Sequence, residues 1–175
     1  MGVTSTGYKI VFVLHLLSVI VGFGAVALNG LYGAEAKKRK GPGGLAIGEA
    51  NHAVSDVAEK VVFLVPIFGI GLVLMSDEQW TFGQTWVWLS LLLYVIGVGV
   101  AHAVMIPSAK RMNALAAELV AAGPPPMSAG GGPAGGPPPQ AVEMEAIGKR
   151  LAMGGGFLNL MLVAVVALMV FKPGI

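Results

Sequence analysis

The sequence predicts an all-α protein, a four-helix transmembrane bundle with its N-terminus and C-terminus outside. Of the 175 residues, 55% are hydrophobic and only 11% are charged, and the mean hydropathy is +0.79. A soluble domain carries about 25% charged residues. A spanning helix needs about 20 mostly apolar residues, and four segments of the chain meet that requirement. These predicted spans cover residues 8–32, 54–75, 86–106 and 153–171.

The first predicted span carries polar residues inside a long apolar run. It is not expected to be a cleaved signal peptide, because few basic residues precede it and no small-x-small site follows it. Polar and small residues recur at spacings of three and four, which places them on one helical stripe. Polar groups are costly in lipid, so we expect this stripe to pack against other helices. Its members are His15, Ser18, Gly22, Ala25 and Asn29.

The second predicted span opens on a polar stretch, NHAVSDVAEK, at residues 51–60. His52 and Asp56 are four residues apart, as are Asp56 and Lys60, so each pair shares a helix face. Solvated helix-end residues explain this pattern, and so does a proton entry or an acidic metal-binding mouth. Pro66 then interrupts the same span, and a broken span can present backbone groups to a ligand.

The third predicted span carries His102 far from its outer end. His102 lies sixteen residues after Trp86, which is about 24 Å along a helix. His15 lies seven residues after Tyr8, or roughly 10 Å from the same side. The two histidines therefore differ in depth. If two histidines hold one cofactor, His52 with His102 is the better matched pair.

The loop between the third and fourth spans divides into three parts. Residues 108–122 are predicted to be a cytoplasmic helical extension, and residues 123–140 a disordered Pro/Gly-rich linker. That linker is a spacer, a tether or a partner-docking loop. Residues 141–175 are then a helical lead-in followed by the fourth span. The part before the extension, residues 1–107, holds the first three spans and a basic cytoplasmic loop at 33–51.

The charges of the loops predict the orientation of the chain. Lysines and arginines gather in the first and third loops, and the second loop carries Asp77 and Glu78 instead. The positive-inside rule therefore places loops 33–53 and 107–152 in the cytoplasm, with the protein integral to the plasma (inner) membrane. The three tryptophans suit the outer interface, where amphipathic rings concentrate. They are Trp80, Trp86 and Trp88.

Four stretches of the chain resemble the DUF2269 family of uncharacterised integral membrane proteins. They are LHLLSVIVGFG (14–24), WVWLSLLLYV (86–95), SAKRMNAL (108–115) and LMVFKPG (168–174). More distantly, the pattern is similar to CopD-type copper-resistance proteins and HemJ-type protoporphyrinogen oxidases. In those groups a first-helix histidine is associated with metal or haem function. The resemblance implies that role for His15.

Three classes of function stay open at this point. The net charge of +2 does not favour a nucleic-acid partner, and the absence of cysteine excludes thiolate chemistry and disulfides. The first class binds haem b or a metal, in an electron-transfer or haem-related role, with His15 as the leading ligand and His52 and His102 as further candidates. The second is a non-catalytic accessory subunit of a larger respiratory-type membrane complex, or a homo-oligomer. The third is a small proton-coupled transporter that also uses Asn29, Asp56 and Glu59.

Overall fold

The computed structural model describes residues 2–39, 41–123 and 137–174, and these residues form an all-helical bundle. The helices are α1 (Thr6–Arg39), α2 (Gly41–Val62), α3 (Leu64–Leu74), α4 (Thr85–Val100), a π-helical segment (Ala101–Met105), α5 (Ile106–Ala122) and α6 (Pro139–Phe171). Four continuous units are long and apolar enough to cross a membrane. These are α1, α2 with α3, α4 through α5, and α6. The predicted four-helix membrane fold is confirmed.

The structure describes the first predicted connection almost completely and the third only at its ends. The basic loop predicted at 33–51 is helical where the structure describes it, because α1 continues to Arg39 and α2 begins at Gly41. Alanine, glutamate and lysine are strong helix formers, and they carry α1 beyond its apolar part. Most of the predicted linker 123–140 lies outside the described residues. Its last two residues belong to α6, which begins at Pro139.

The four spans pack in a ring. α1 lies against α2 and α3, α5 lies against α2 and α6, and α6 also contacts α4 and α1. One end of the bundle carries the loop between α3 and α4 and is called the tryptophan end. The other end carries Lys37, Lys38 and Arg39 and is called the basic end. The outward faces expose large apolar side chains such as Leu74 and Phe171. A surrounding lipid bilayer accounts for these exposed side chains, because soluble proteins rarely expose apolar surface over so large an area.

The second span is broken at Phe63, and the cause lies at Pro66. Proline has no N–H, so the carbonyl of Val62, four residues earlier, loses its helical donor. Tyr94 of α4 supplies the replacement, because its hydroxyl donates to the Val62 carbonyl oxygen at 3.3 Å. Backbone polar groups need internal partners in hydrocarbon. Tyr94 therefore satisfies the carbonyl that the break leaves open.

Tyr94→Phe is expected to destabilise the bundle by about 1 kcal/mol, in the range measured for hydrogen bonds between membrane helices. The physical reason is the unpartnered Val62 carbonyl. In a Pro66→Ala background, where the helix supplies its own donor, the same Tyr94 substitution should cost almost nothing. Denaturation of the four proteins in mixed detergent measures both costs. An equal cost in the two backgrounds would contradict this account of the break.

The third span contains a wide turn, the π-helical segment Ala101–Met105. The N–H of Ile106 bonds to the carbonyl of Ala101, five residues back. Pro107 follows directly, and in a regular α-helix its ring would clash with the carbonyl four residues earlier. A π turn relieves such crowding and is frequent at functional sites. The segment also carries His102.

α1 and α2 approach each other closely at Gly22. A Cβ atom added there would lie 2.8 Å from Val62 Cγ2 and 3.2 Å from the Val62 backbone nitrogen. Small residues allow helix backbones to come this close in membranes. α1, α2 and α4 thus all meet around Val62.

Candidate functional site

The predicted polar stripe of α1 lies partly in the bundle interior. His15, Ser18 and Gly22 are the buried residues of α1. The Ser18 hydroxyl donates to the carbonyl of Leu14 at 2.8 Å, within its own helix. Asn29 is part-buried, and its Oδ1 accepts a hydrogen bond from the Ser55 hydroxyl at 3.2 Å. Asn29 therefore ties α1 to α2, and Ser18 is satisfied locally.

His15 is held by the backbone of α3. Its Nδ1 lies 3.0 Å from the carbonyl oxygen of Val65. A carbonyl can only accept, so Nδ1 carries the proton and Nε2 presents a lone pair. Gly69 lies against the ring, where an added Cβ would be 3.2 Å from Cε1. The side chain is only 8% exposed. In the part of the chain that the structure describes, Nε2 has no hydrogen-bond partner.

His102 bonds to a carboxylate on another helix. Its Nε2 lies 2.8 Å from Glu59 Oε1, and its Nδ1 lies 3.0 Å from the Val98 carbonyl one turn earlier. The Phe63 ring packs beside the imidazole with centroids 5.9 Å apart. His102 and Glu59 thus join the π-helical segment to the end of α2.

His52 stays within its own helix and near the basic end. Its Nδ1 is 3.8 Å from Asp56 Oδ1, and Asp56 is largely exposed. Among the described residues, the three histidines have separate sets of partners, and no histidine is paired with another. His52 and His102 thus bond to different carboxylates, and their pairing as cofactor ligands stays a prediction. The described residues also contain no group of three or more His, Asp or Glu side chains that could hold a metal ion.

The sequence analysis did not predict the contact between His102 and Glu59. It named Glu59 only as one of the polar residues that a proton-coupled transporter would use, and it assigned Glu59 no partner. One signal was available, because Glu59 lies sixteen residues before Met75 and His102 sixteen residues after Trp86. Counted from the tryptophan end, the two residues share one depth.

An aromatic cluster closes the tryptophan end of the bundle. Trp80 Nε1 donates to the Tyr8 hydroxyl at 3.0 Å, and the Trp80 and Trp86 rings meet edge to face at 5.5 Å. The ammonium group of Lys172 lies 3.8 Å from the Trp80 ring centroid. Ser76, 1% exposed, accepts a hydrogen bond from the Trp80 backbone N–H at 2.9 Å. This cluster ties both chain ends to the loop between α3 and α4.

A two-pronged ion pair links α5 to α6 at the basic end. Arg111 Nε and Nη2 donate to the two carboxylate oxygens of Glu143 at 2.8 and 2.9 Å. Hydrogen bonding from the guanidinium holds the pKa of Glu143 below its ordinary value. The pair therefore connects the two helices on either side of residues 124–136.

Acidification is expected to weaken this α5–α6 link. A carboxylate whose pKa is lowered by folding contributes stability above its unfolded pKa, and that contribution is lost as the pH falls through the folded pKa. Wild type should thus lose its advantage over Glu143→Gln as the pH is lowered below about 4. Detergent denaturation at a series of pH values measures this difference, with Glu49→Gln as an exposed control. A pH-independent difference would contradict the expectation.

Comparison with known proteins adds one finding. A family described as predicted integral membrane proteins, DUF2269, matches residues 9–130. The match covers most of α1 and all of α2 to α5, and it includes the three histidines and Glu59. No curated protein and no solved structure matches the chain.

Proposed function

Because the chain belongs to the DUF2269 family of integral membrane proteins, we propose that it acts within the bilayer as a haem-binding protein. In this proposal His15 would hold the iron of a haem b, in an electron-transfer or haem-related role. The observation that carries the proposal is the hydrogen bond between His15 Nδ1 and the Val65 carbonyl.

That hydrogen bond prepares His15 for ligation. Metal-ligating histidines commonly donate their second ring N–H to a carbonyl or carboxylate, which fixes the tautomer and raises the basicity of the ligating nitrogen. His15 has this arrangement, and its Nε2 is without a partner in the described part of the chain. Gly69 brings no side chain against the ring, so Val65 and Gly69 together position it.

The number of available ligands favours haem over a bare metal ion. Protein zinc sites use three or four side-chain ligands, and the described residues contain no cluster of three His, Asp or Glu. Haem iron already has four porphyrin nitrogens and needs as few as one protein ligand. One oriented imidazole therefore meets the number of protein ligands that haem iron requires. Bound haem would supply one-electron redox chemistry.

A reduced-minus-oxidised visible spectrum of the purified protein, supplied with haem, tests this proposal. We expect Soret and alpha bands in the wild type and their loss in His15→Gly. Imidazole added to His15→Gly should restore them, because it replaces the missing ring without restoring the side chain. His52→Ala is the matched control and should keep the bands. A wild type without bands, while folded, would overturn the haem proposal and favour an accessory subunit.

The orientation of the bundle is a second part of the proposal. The lysines and arginine of the basic end support a cytoplasmic position for that end in the plasma (inner) membrane. Since the chain has no cysteine, single cysteines report the sidedness directly. Gln79→Cys should react with an impermeant maleimide in intact cells, and Ala117→Cys should react only after permeabilisation. The reverse pattern would overturn this orientation.

A further inference from the structure

We propose that Glu59 and His102 form a proton-binding site inside the membrane. The site holds one proton between His102 Nε2 and Glu59 Oε1 and exchanges it with water at the basic end. This site is separate from His15, and it does not depend on haem binding.

The first argument is the proton count at the contact. The Val98 carbonyl can only accept, so Nδ1 of His102 must be protonated. Nε2 and Glu59 Oε1 are 2.8 Å apart. Without a further proton, the lone pair of Nε2 would face the carboxylate at that distance and repel it. One proton therefore lies between the two atoms, either as imidazolium with carboxylate or as neutral imidazole with carboxylic acid.

The second argument is depth. Glu59 and His102 each lie sixteen residues from the tryptophan end of their spans, which is about 24 Å into a hydrocarbon layer about 30 Å thick. The pair therefore lies inside the layer but only about 6 Å from its boundary at the basic end, and ionisable groups within spans mark proton or substrate paths. The shared proton makes the pair neutral overall. Its loss leaves one negative charge, so proton binding has a direct energetic consequence at this depth.

The third argument is access. The Glu59 side chain is 35% exposed and that of His102 is 46% exposed, so the pair lies at the surface of the bundle and is not enclosed by its helices. Each residue also lies beside an irregular turn, Glu59 before the break at Phe63 and His102 in the π-helical segment. Irregular backbone at membrane depth is tolerated where it is buried in protein or lines a water-filled cavity.

Among the described residues, no further charged side chain forms an ion pair with Glu59 or His102. Lys149 and Arg39 are engaged with Glu145 and Glu35, respectively. The titratable residues close to the pair along its own span and the neighbouring spans are Asp56 and Lys60 on α2, Tyr94 on α4, Lys110 on α5, Lys149 and Arg150 on α6, and Tyr32 and Glu35 on α1.

Nitrogen NMR of the histidines tests the proposal, because the chain contains only three. The probe is full-length protein in lipid nanodiscs, with ¹⁵N-labelled histidine. In the wild type at neutral pH we expect His102 Nε2 to show the signal of a nitrogen that shares a proton. In Glu59→Gln the amide can donate to Nε2, so the contact is kept and His102 should become a neutral ring. The His15 and His52 signals should not move.

Proton release gives a second readout. When the pH is raised, the wild type should release one proton per chain more than Glu59→Gln, and Glu49→Gln on the same helix should match the wild type. If Glu59→Gln fails to fold, His102→Gln replaces it, and the infrared carboxyl band of Glu59 is followed instead. Identical His102 signals in wild type and Glu59→Gln, with equal proton release, would overturn the proposal. His15→Gly separates the two sites, since it should lose haem and leave the His102 signals unchanged.

Discussion

Gly22→Leu is expected to push α1 and α2 apart and to produce the largest loss of stability of any single substitution in α1. The new Cβ alone would lie 2.8 Å from Val62 Cγ2 and 3.3 Å from the Val62 Cα atom. The backbone of α2 cannot yield as a flexible side chain can, so the helices must separate. Overpacking of this kind costs about 1–3 kcal/mol. The altered crossing would also disturb the Val62 carbonyl that Tyr94 satisfies.

Gly24→Leu is the matched control for this prediction. It lies on the same helix, two residues away, and a Cβ added there meets nothing within 4 Å. Replacing glycine inside a helix gains up to about 1 kcal/mol of helix propensity, so this variant should be neutral or slightly stabilised. Detergent denaturation and gel filtration of both variants measure the difference. Equal stability of the two leucine variants would refute the close crossing at Gly22.

Trp80→Ala is expected to open the tryptophan end, with a cost of about 3 kcal/mol, the lower limit for removal of a large aromatic side chain from a core. Trp80 is partly buried and contacts three partners at once. It donates to Tyr8, meets Trp86 edge to face and accepts the Lys172 ammonium over its ring. Its removal therefore frees the start of α1 and the end of α6 together.

Trp88→Ala provides the comparison, because Trp88 belongs to the same end of the bundle but is 47% exposed. We expect it to cost less than 1 kcal/mol. Thermal unfolding in detergent gives both costs, and quenching of tryptophan fluorescence by iodide shows whether Trp86 becomes accessible in Trp80→Ala. If the two alanine variants unfold at the same temperature, the cluster around Trp80 contributes nothing to stability.

Much of the architecture could be predicted from the sequence, and the features that were missed have local physical causes. Apolar run length identified all four spans, since hydrocarbon thickness imposes that length. The helical form of residues 33–39 and 41–51 was not predicted, because it is supported by packing of α1 on α2, where Gly44 lies against the Ala36 carbonyl, and hydropathy does not show that contact. The interruption by Pro66 was visible in the sequence. The π turn before Pro107 was not, because it depends on how the backbone relieves a local clash.

In the candidate site, too, some features could be predicted from residue spacing and others depend on contacts between helices. Spacing placed His15, Ser18 and Gly22 on one face of the first helix, and the structure buries these three. Spacing could not say that His15 bonds to a backbone carbonyl of α3, since every residue carries one. Nor could it choose among Asp56, Glu59 and another histidine as the partner of His102.

The sequence by itself determined that lipid surrounds the chain, how many spans it has and which residues of the first helix face other helices. These features follow from composition and from periodicity along a single helix. Tertiary structure alone decided that His15 bonds to Val65, that Tyr94 replaces the donor missing at Pro66, and that Glu59 meets His102. Each of these contacts joins residues that are distant in the chain. Their geometry depends on the angle and depth at which two helices cross, and those are set by close packing at positions such as Gly22.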